Sequence, residues 1–195
     1  MPRTLIAVFL AAVPLVLCAA ETATECDVLA SNPEDPDRRA PPVPREKMDL
    51  PKAIAACEAQ VARTPDDLRA RYQLARSLVY AGQSERGVAE MKQAADAGDR
   101  QAQFVYGLLV SRGRPGAPRD ICVAEPYWLK SARAGRQAAR VSYVHHVLRG
   151  RFDGCTVQAS TAEMRELLAA ARKTAENYYE SVLIDDLEQE LARRR

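Results

Sequence analysis

The sequence has no stretch of alternating β-branched residues, so no part of it predicts a β-sheet. It has no GxSxG, GxGxxG or HExxH motif, no GxxxxGK followed by Ser or Thr, and no cysteine pair in CxxC spacing. A serine-hydrolase elbow, a phosphate-binding loop and the common zinc or redox sites therefore have no support. We expect an all-α chain without catalytic residues, metal or cofactor.

The charges of the chain nearly cancel, since 28 basic residues face 26 acidic ones. Bulk charge therefore gives no indication of a nucleic-acid partner or of a membrane surface. The charges are unevenly distributed: residues 112–151 hold nine basic and two acidic residues, and residues 176–190 hold six acidic and no basic ones. Either block is compatible with a solvated face, and the basic block also with a groove for an acidic peptide or an anionic envelope polymer.

The N-terminus has the pattern of a secretory signal. Arg3 precedes an uncharged apolar run, residues 5–17, and small residues follow the run. This order is typical of a signal peptide, and the run is too short to span a bilayer. We predict a signal peptide over residues 1–20, cleavage near Ala20 and a periplasmic or secreted chain that does not insert into the membrane. The alternatives are a lipid anchor on Cys18 and a true membrane anchor.

Four cysteines remain after the signal, and an even number favours disulfide bonds in an oxidising compartment. Three pairings are possible, and the sequence does not choose strictly among them. The positions favour two local bonds, Cys26–Cys57 and Cys122–Cys155. Each bond would close a loop of just over thirty residues, and chain entropy then predicts a stabilisation of about 3 to 4 kcal/mol per bond.

Prolines mark the N-terminal part of the mature chain. Six of them lie between residues 31 and 51, which excludes a continuous helix. We predict an extended, proline-rich lead-in over residues 21–50 that lies on the surface. Alanine, leucine, arginine and glutamine dominate the rest, and they favour helices.

Hydrophobic periodicity predicts seven helices after the lead-in. Their ranges are 51–63, 68–81, 84–97, 100–112, 122–134, 136–149 and a long last helix from Thr161 to about Ala192, for which Ser160 and Glu163 have capping-box spacing. Glycines follow the second to the sixth of these helices at positions where a left-handed residue would end a helix: Gly82, Gly98, Gly113, Gly135 and Gly150.

The glycines also recur at a fixed interval. Gly98 to Gly135 and Gly113 to Gly150 are both 37 residues apart. A helix pair cannot bury its apolar face alone, so we interpret the interval as a repeat in which each pair packs on the next. An earlier stretch follows the tetratricopeptide pattern of small and large residues, at Leu74, Ala75, Leu78, Gly82, Met91 and Ala94.

Two of the predicted helices resemble a Sel-one-like repeat, a close relative of the tetratricopeptide repeat. The matching positions are Ala102, Gly107 and Gly113 in the first helix, and Asp120, Ala124, Tyr127, Lys130, Ala132 and Gly135 in the second. The chain departs from the pattern at Pro126 and at Trp128, which follows the usual aromatic position. The resemblance covers residues 51–150. It implies an α–α superhelix, a solenoid of helical repeats over residues 51–159, with a capping helix over residues 160–195.

The resemblance implies a scaffold for protein or peptide contacts, with a concave side built from the first helices of the repeats. Tyr127 is expected in the core, and Trp128, about 100° round the helix, is the candidate for the contact surface. Arginines add guanidinium groups that bind carboxylates through paired hydrogen bonds. The candidate partner-binding residues are Tyr72, Arg76, Tyr106, Trp128, Arg133, Arg136 and Arg140.

The predicted function is that of a non-catalytic periplasmic scaffold that binds a protein or peptide and no nucleic acid. His145 and His146 do not predict a metal site, because adjacent residues point about 100° apart on a helix. One alternative is an accessory or regulatory subunit of a cell-envelope enzyme. The apolar stripe of the last helix would then join it to its partner, or join two copies in a homodimer. A cell-wall hydrolase is the other alternative, and it requires paired carboxylates or a His–acid pair in a closed cleft.

Overall fold

The computed structural model describes residues 22–194, and in this range the chain is helical without a β-strand. The predicted signal peptide and Cys18 lie outside the described residues. The helices are α1 (Glu25–Ala30), a short 3-10 helix (Arg45–Lys47), α2 (Leu50–Arg63), α3 (Leu68–Tyr80), α4 (Ser84–Asp96), α5 (Arg100–Arg112), α6 (Ile121–Arg133), α7 (Gln137–Leu148), α8 (Thr161–Arg172) and α9 (Tyr178–Arg193).

The boundaries of α2 to α7 agree with the sequence prediction to within one residue at each end. Aspartate side chains cap the N-termini of four helices, where each accepts a hydrogen bond from a backbone N–H that has no partner within the helix: Asp49, Asp67, Asp99 and Asp120. At the other ends, the five glycines predicted to be left-handed have φ angles between 64° for Gly150 and 108° for Gly98. Both signals are present for α3, α5 and α6, whereas α2, α4 and α7 each have one of them.

Successive helices pack on one another along the chain from α2 to α9, and α1 packs on α2 and α3. Three hairpins follow from this order, α3–α4, α5–α6 and α7–α8. The interior is divided into three apolar clusters in chain order, centred on Cys57 and Leu74, on Met91 and Tyr106, and on Trp128 and Leu168. Each hairpin thus buries its apolar side against its neighbours, as the predicted α–α superhelix requires.

The helices α5 and α6 approach most closely at Gly107 and Trp128. A Cβ atom at Gly107 would lie 2.6 Å from Trp128 Nε1, so any larger residue would displace the indole ring. The Trp128 side chain is 1% exposed, and its Nε1–H donates to the Phe104 carbonyl oxygen at 3.1 Å. The placement of Trp128 on a contact surface was therefore wrong. Tyr127 is partly buried against the Met91 cluster and donates from its hydroxyl to Asp96.

The predicted long last helix is in fact two helices, α8 and α9. The chain leaves the helical path after Arg172, and Asn177 caps a new helix by accepting from the Glu180 N–H. Because α9 folds back onto α7 and α8, it buries Ile184, Leu187 and Leu191. The apolar stripe consequently belongs to two helices, and Tyr178 and Tyr179 at the start of α9 stay exposed. Ser160 does cap α8, as predicted, by accepting from the Glu163 N–H.

The lead-in is only partly extended. Residues 25–30 form α1, whose N-terminus has a complete capping box between Thr24 and Asp27. Asp27 is buried and accepts from the Arg69 guanidinium at 2.7 and 3.2 Å, which ties α1 to α3. The bonds Cys26–Cys57 and Cys122–Cys155 confirm the favoured pairing. The first bond joins α1 to α2, and the second joins α6 to the segment that follows α7.

We expect Gly107→Ala to destabilise the fold although alanine favours helices more than glycine does. Overpacking against Trp128 costs about 1 to 3 kcal/mol, and the gain in helix propensity is at most about 1 kcal/mol. Urea denaturation of the single variant and of a Gly107→Ala, Trp128→Phe double variant measures the coupling. The same cost of Gly107→Ala in both backgrounds would show that the indole ring does not set the spacing of α5 and α6.

Candidate partner-binding face

The proline-rich segment 31–43, here called the lead-in loop, forms a closed loop on the repeats. The Val43 N–H donates to the Ser31 carbonyl oxygen at 2.8 Å, so the two ends of the loop meet. Arg76 of α3 fastens both ends: its Nη1 donates to the Ala30 carbonyl at 3.0 Å and its Nη2 to the Val43 carbonyl at 2.9 Å. This arrangement is that of a compact Ω-like surface loop anchored on α3.

The tip of the lead-in loop lies across the first helices of the hairpins. Arg100 at the start of α5 donates from Nε and Nη2 to the two carboxylate oxygens of Asp37, both at 2.6 Å. Arg136, which precedes α7, donates from Nη2 to the Glu34 carbonyl oxygen at 3.3 Å. The surface that these contacts define on α3, α5 and the start of α7 is called the first-helix face below. It consists of Tyr72, Arg76, Arg100, Gln101, Arg136 and Arg140.

A chain of hydrogen bonds crosses this face from one repeat to the next. Asn32 Nδ2 and Gln101 Nε2 both donate to the Tyr72 hydroxyl oxygen, the latter at 3.2 Å. Gln101 Oε1 in turn accepts from Arg136 Nε. Each of the three hairpins contributes one buried side chain, and burial raises the pKa of the Tyr72 hydroxyl. The lead-in loop and the three hairpins are thus joined by one polar network.

Arg136 is an unusual residue for its position at the N-terminus of α7. It occupies the N-cap of α7, where Asp99 stands in α5, and it makes no side-chain capping bond. A cation is unfavourable at the positive end of a helix, and Arg136 is only 5% exposed. Burial lowers its pKa, and its guanidinium lies 4.1 Å from the centre of the Phe104 ring. Among residues 22–194 its hydrogen-bond partners are neutral oxygens, so this buried positive charge has no carboxylate bound to it.

Arg140 adds a third positive charge next to Arg100. A Cβ atom at Gly135 would lie 3.3 Å from Arg100 Nη1 and 3.4 Å from Arg140 Nη2, so both guanidinium groups line the turn between α6 and α7. Arg100 is paired with Asp37, whereas Arg140 Nε is buried without a hydrogen-bond partner in the described part of the chain. The first-helix face therefore carries more positive charge than the lead-in loop neutralises.

The seven candidate residues do not form one open surface. Tyr72, Arg76 and Arg136 lie under the lead-in loop and contact it or its anchors, and Tyr106 packs edge-on against Tyr127 with ring centres 4.7 Å apart. Arg133 is exposed and binds Glu163 through two hydrogen bonds of 2.7 and 3.0 Å. Partner binding by this set stays a prediction, and the part of it that is accessible while the loop is closed is limited to Arg133 and Arg140.

Sequence reasoning missed the residues that bring the loop and the face together, namely Asn32, Asp37, Arg100 and Gln101. One signal was available for Arg136. The 37-residue interval places this arginine at the position of Asp99, so an N-capping residue is replaced there by a cation. No local pattern marks Asp37 and Arg100 as a pair, because 63 residues separate them.

Two other polar groups of the interior, Glu125 and His146, lie within the packing of α6 and α7, and one polar atom of each, Glu125 Oε2 and His146 Nδ1, has no hydrogen-bond partner in the described chain. Glu125 accepts hydrogen bonds from the Tyr143 hydroxyl and from the Gln158 N–H. His146 packs against Trp128 with ring centres 4.7 Å apart, and burial lowers its pKa to about 4, so it is neutral at physiological pH. Over residues 22–194, no group of three or more His, Cys, Asp or Glu side chains is arranged to hold a metal ion.

The pKa of the Asp99 carboxyl predicts how the stability of the fold depends on pH. Burial, together with the negative charges of Asp35 and Asp37, raises the pKa of this carboxyl from its ordinary 3.8 to about 7. The folded chain then holds a proton that the unfolded chain has released between about pH 4 and pH 7, so this group's contribution to stability falls as the pH rises through that window.

We expect Asp99→Asn to reduce that pH dependence, because asparagine keeps the capping oxygen but does not titrate. Urea denaturation at pH 4.5 and pH 7.5 gives the difference in unfolding free energy for each protein. The exposed Asp186→Asn serves as the control for loss of one negative charge. An unchanged difference between the two pH values in Asp99→Asn would contradict the assigned pKa.

Comparison with known proteins gives a structural match and no match in sequence. No protein-family model matches the chain, and no curated protein matches it. Among solved structures, the crystal structure of a Sel1 repeat protein from Oxalobacter formigenes superposes with a TM-score of 0.51 at 20% identity, covering 73% of this chain and 99% of that one. Together with the consecutive helical hairpins, this likeness shows that the chain has the Sel1-repeat fold, an α–α superhelix related to the tetratricopeptide repeats.

Proposed function

We propose that the chain is a non-catalytic repeat scaffold that binds an extended segment of a partner protein or peptide on the first-helix face. One observation carries the proposal: this face already binds a non-helical segment, the closed lead-in loop of the chain itself. Arg76 and Arg136 donate to main-chain carbonyl groups of the loop and its anchors, and Arg100 donates to a side-chain carboxylate. Main-chain and carboxylate oxygens are groups that any acidic peptide presents.

The proposed place of action is outside the cytosol, in the periplasm or after secretion. The signal pattern of residues 1–20 and the two disulfide bonds support it, because disulfide bonds persist in oxidising compartments. In the stretch from residue 22 to 194, no helix is both long and apolar enough to cross a membrane. We therefore propose export followed by signal cleavage.

A non-catalytic role is supported by the use of the interior polar groups. The buried carboxylate Glu125 is bonded to Tyr143 and Gln158, and His146 is held among aromatic rings. These groups stabilise the packing of α6 and α7 with the segment after α7. In the described chain no hydrogen bond joins His146 to Glu125, so these two groups do not form the His–acid pair that one class of hydrolases uses.

A second candidate function is that of an accessory subunit, or of one half of a homodimer, joined through α9. Tyr178 and Tyr179 are 76% and 83% exposed, and Val182 and Leu183 are also exposed beside them. Neighbouring exposed apolar side chains of this size are typical of a contact surface. This patch lies on α9 and is made of residues other than those of the first-helix face.

Self-association through α9 can be measured directly as the molecular mass in solution. If two copies join there, light scattering of the mature chain will give a mass that rises towards twice the monomer mass with concentration. Tyr179→Ser will keep the monomer mass over the same range, because it removes a large exposed aromatic surface. A monomer mass for the unmodified chain at all concentrations would rule out the homodimer and leave the subunit alternative.

Photo-crosslinking in the native compartment tests binding at the first-helix face. A photoreactive residue at Ala138, which lies beside Arg136 and the lead-in loop, should capture a discrete partner. The same residue at the exposed Ala89 of α4 is the matched control and should capture none. Capture at Ala138 should weaken at least about threefold with Arg140→Gln, which corresponds to the loss of one exposed charge interaction. Equal capture at the two positions would refute the proposed face.

A further inference from the structure

The lead-in loop fits the first-helix face imperfectly. Asp35 in the loop is 1% exposed, and its Oδ2 atom has no hydrogen-bond partner in the described chain. Ser31 Oγ is likewise buried and unpaired. Burial of a polar group without a partner is unfavourable, and for a carboxylate the cost is largest. The closed position of the loop therefore carries a penalty that opening would remove, since Asp35 would regain water.

Two arginines of the first-helix face, Arg136 and Arg140, also lack a carboxylate partner that a guanidinium group could bind. Arg136 binds the Glu34 carbonyl and the Gln101 amide oxygen, which are both neutral, and no carboxylate of residues 22–194 pairs with Arg140. A carboxylate adds its own negative charge and can accept two parallel hydrogen bonds from one guanidinium group, which a neutral acceptor does not offer. A segment that presents carboxylates at these two positions would thus bind the face better than the loop does.

The tip of the loop is the part that opens most easily. Its ends are held by Arg76, by the Val43–Ser31 hydrogen bond and, through α1, by Cys26–Cys57. At the tip, the Arg100–Asp37 pair is partly exposed to solvent. Exposed ion pairs contribute little to stability. Separation of the tip from α5 and α7 would therefore leave the contacts of the loop ends with α3 intact.

We propose that the lead-in loop is a built-in competitor for the first-helix face, and that an extended acidic segment of a partner displaces it. In the displaced state, carboxylates of the partner lie against Arg136 and Arg140, as the Asp37 carboxylate lies against Arg100 in the closed state. This inference rests on the proposed function, and it adds the chemical class of the partner and a mechanism of regulation. The loop keeps the face closed to segments that lack acidic side chains.

The test uses a labelled synthetic peptide of residues 31–38, SNPEDPDR, as probe. Its binding to the disulfide-bonded mature chain is measured by fluorescence anisotropy. A variant in which residues 32–38 are replaced by a Gly/Ser segment of equal length should bind the probe at least about tenfold more tightly than the unmodified chain, because the competing segment is gone. Asp37→Asn should bind about two- to fivefold more tightly, as expected for the loss of one exposed pair. The control Asp186→Asn should bind like the unmodified chain.

Arginine variants of the loop-replaced chain show which side chains bind the probe. Arg140→Gln should weaken probe binding about two- to fivefold, whereas Arg165→Gln, an exposed arginine of α8, should not weaken it. The amide peptide SNPQNPNR should bind about two- to fivefold more weakly than the acidic probe, because it lacks the Asp37 carboxylate that pairs with Arg100. Circular dichroism and the urea midpoint confirm that each variant is folded.

Three results would overturn the inference: equal affinity of the unmodified and loop-replaced chains, equal affinity for acidic and amide probes, or no binding by a folded loop-replaced chain. Binding of a polyanionic polysaccharide in place of the acidic probe would overturn it as well. The crosslink at Ala138 tests the proposed function independently of this inference. If the position-specific crosslink at Ala138 persists while probe binding is absent, the face binds a partner and the loop is not its competitor.

Discussion

The hydrogen-bond chain from Asn32 through Tyr72 and Gln101 to Arg136 is the interaction on which the arrangement of the first-helix face depends. It takes one buried side chain from each hairpin, so the spacing between repeats and the position of the lead-in loop are fixed together. Hydrogen bonds inside a protein are strengthened by low local polarity, and a lost member leaves its partners unpaired. The network therefore links the three hairpins to one another and holds the Asn32 end of the loop on α3.

The fold was largely predictable because its signals are local. Glycines that end helices, aspartates that cap them and a 37-residue interval define α2 to α7 without knowledge of distant contacts. Prediction failed where the deciding contact is tertiary. The apolar stripe after Ser160 suits one long helix, yet α9 folds back because Ile184, Leu187 and Leu191 gain a buried site against α7 and α8. The helix α1 was missed because the neighbouring prolines dominate the composition of the lead-in.

Only part of the candidate site could be predicted from the sequence. The resemblance identified the first helices, and Tyr72, Arg76 and Arg136 lie where these helices contact the lead-in loop or its anchors, while their binding to a partner stays a prediction. The contact with the loop tip depends on the Asp37–Arg100 pair, which no spacing rule reveals. Trp128 was misplaced because the close approach at Gly107 makes room for the indole ring between α5 and α6. A small residue on one helix thus decided the environment of a large residue on another.

The attachment of the lead-in loop at both ends has a quantitative consequence for any competing ligand. A segment tethered to its own site by a short connection acts at an effective concentration on the order of 1 mM. A free ligand at micromolar concentration therefore gains occupancy only if its intrinsic affinity exceeds that of the loop by about a thousandfold. In the proposed competition, the covalent connection through α1 and Cys26–Cys57 would set a threshold of this kind, in addition to the proposed selection by charge.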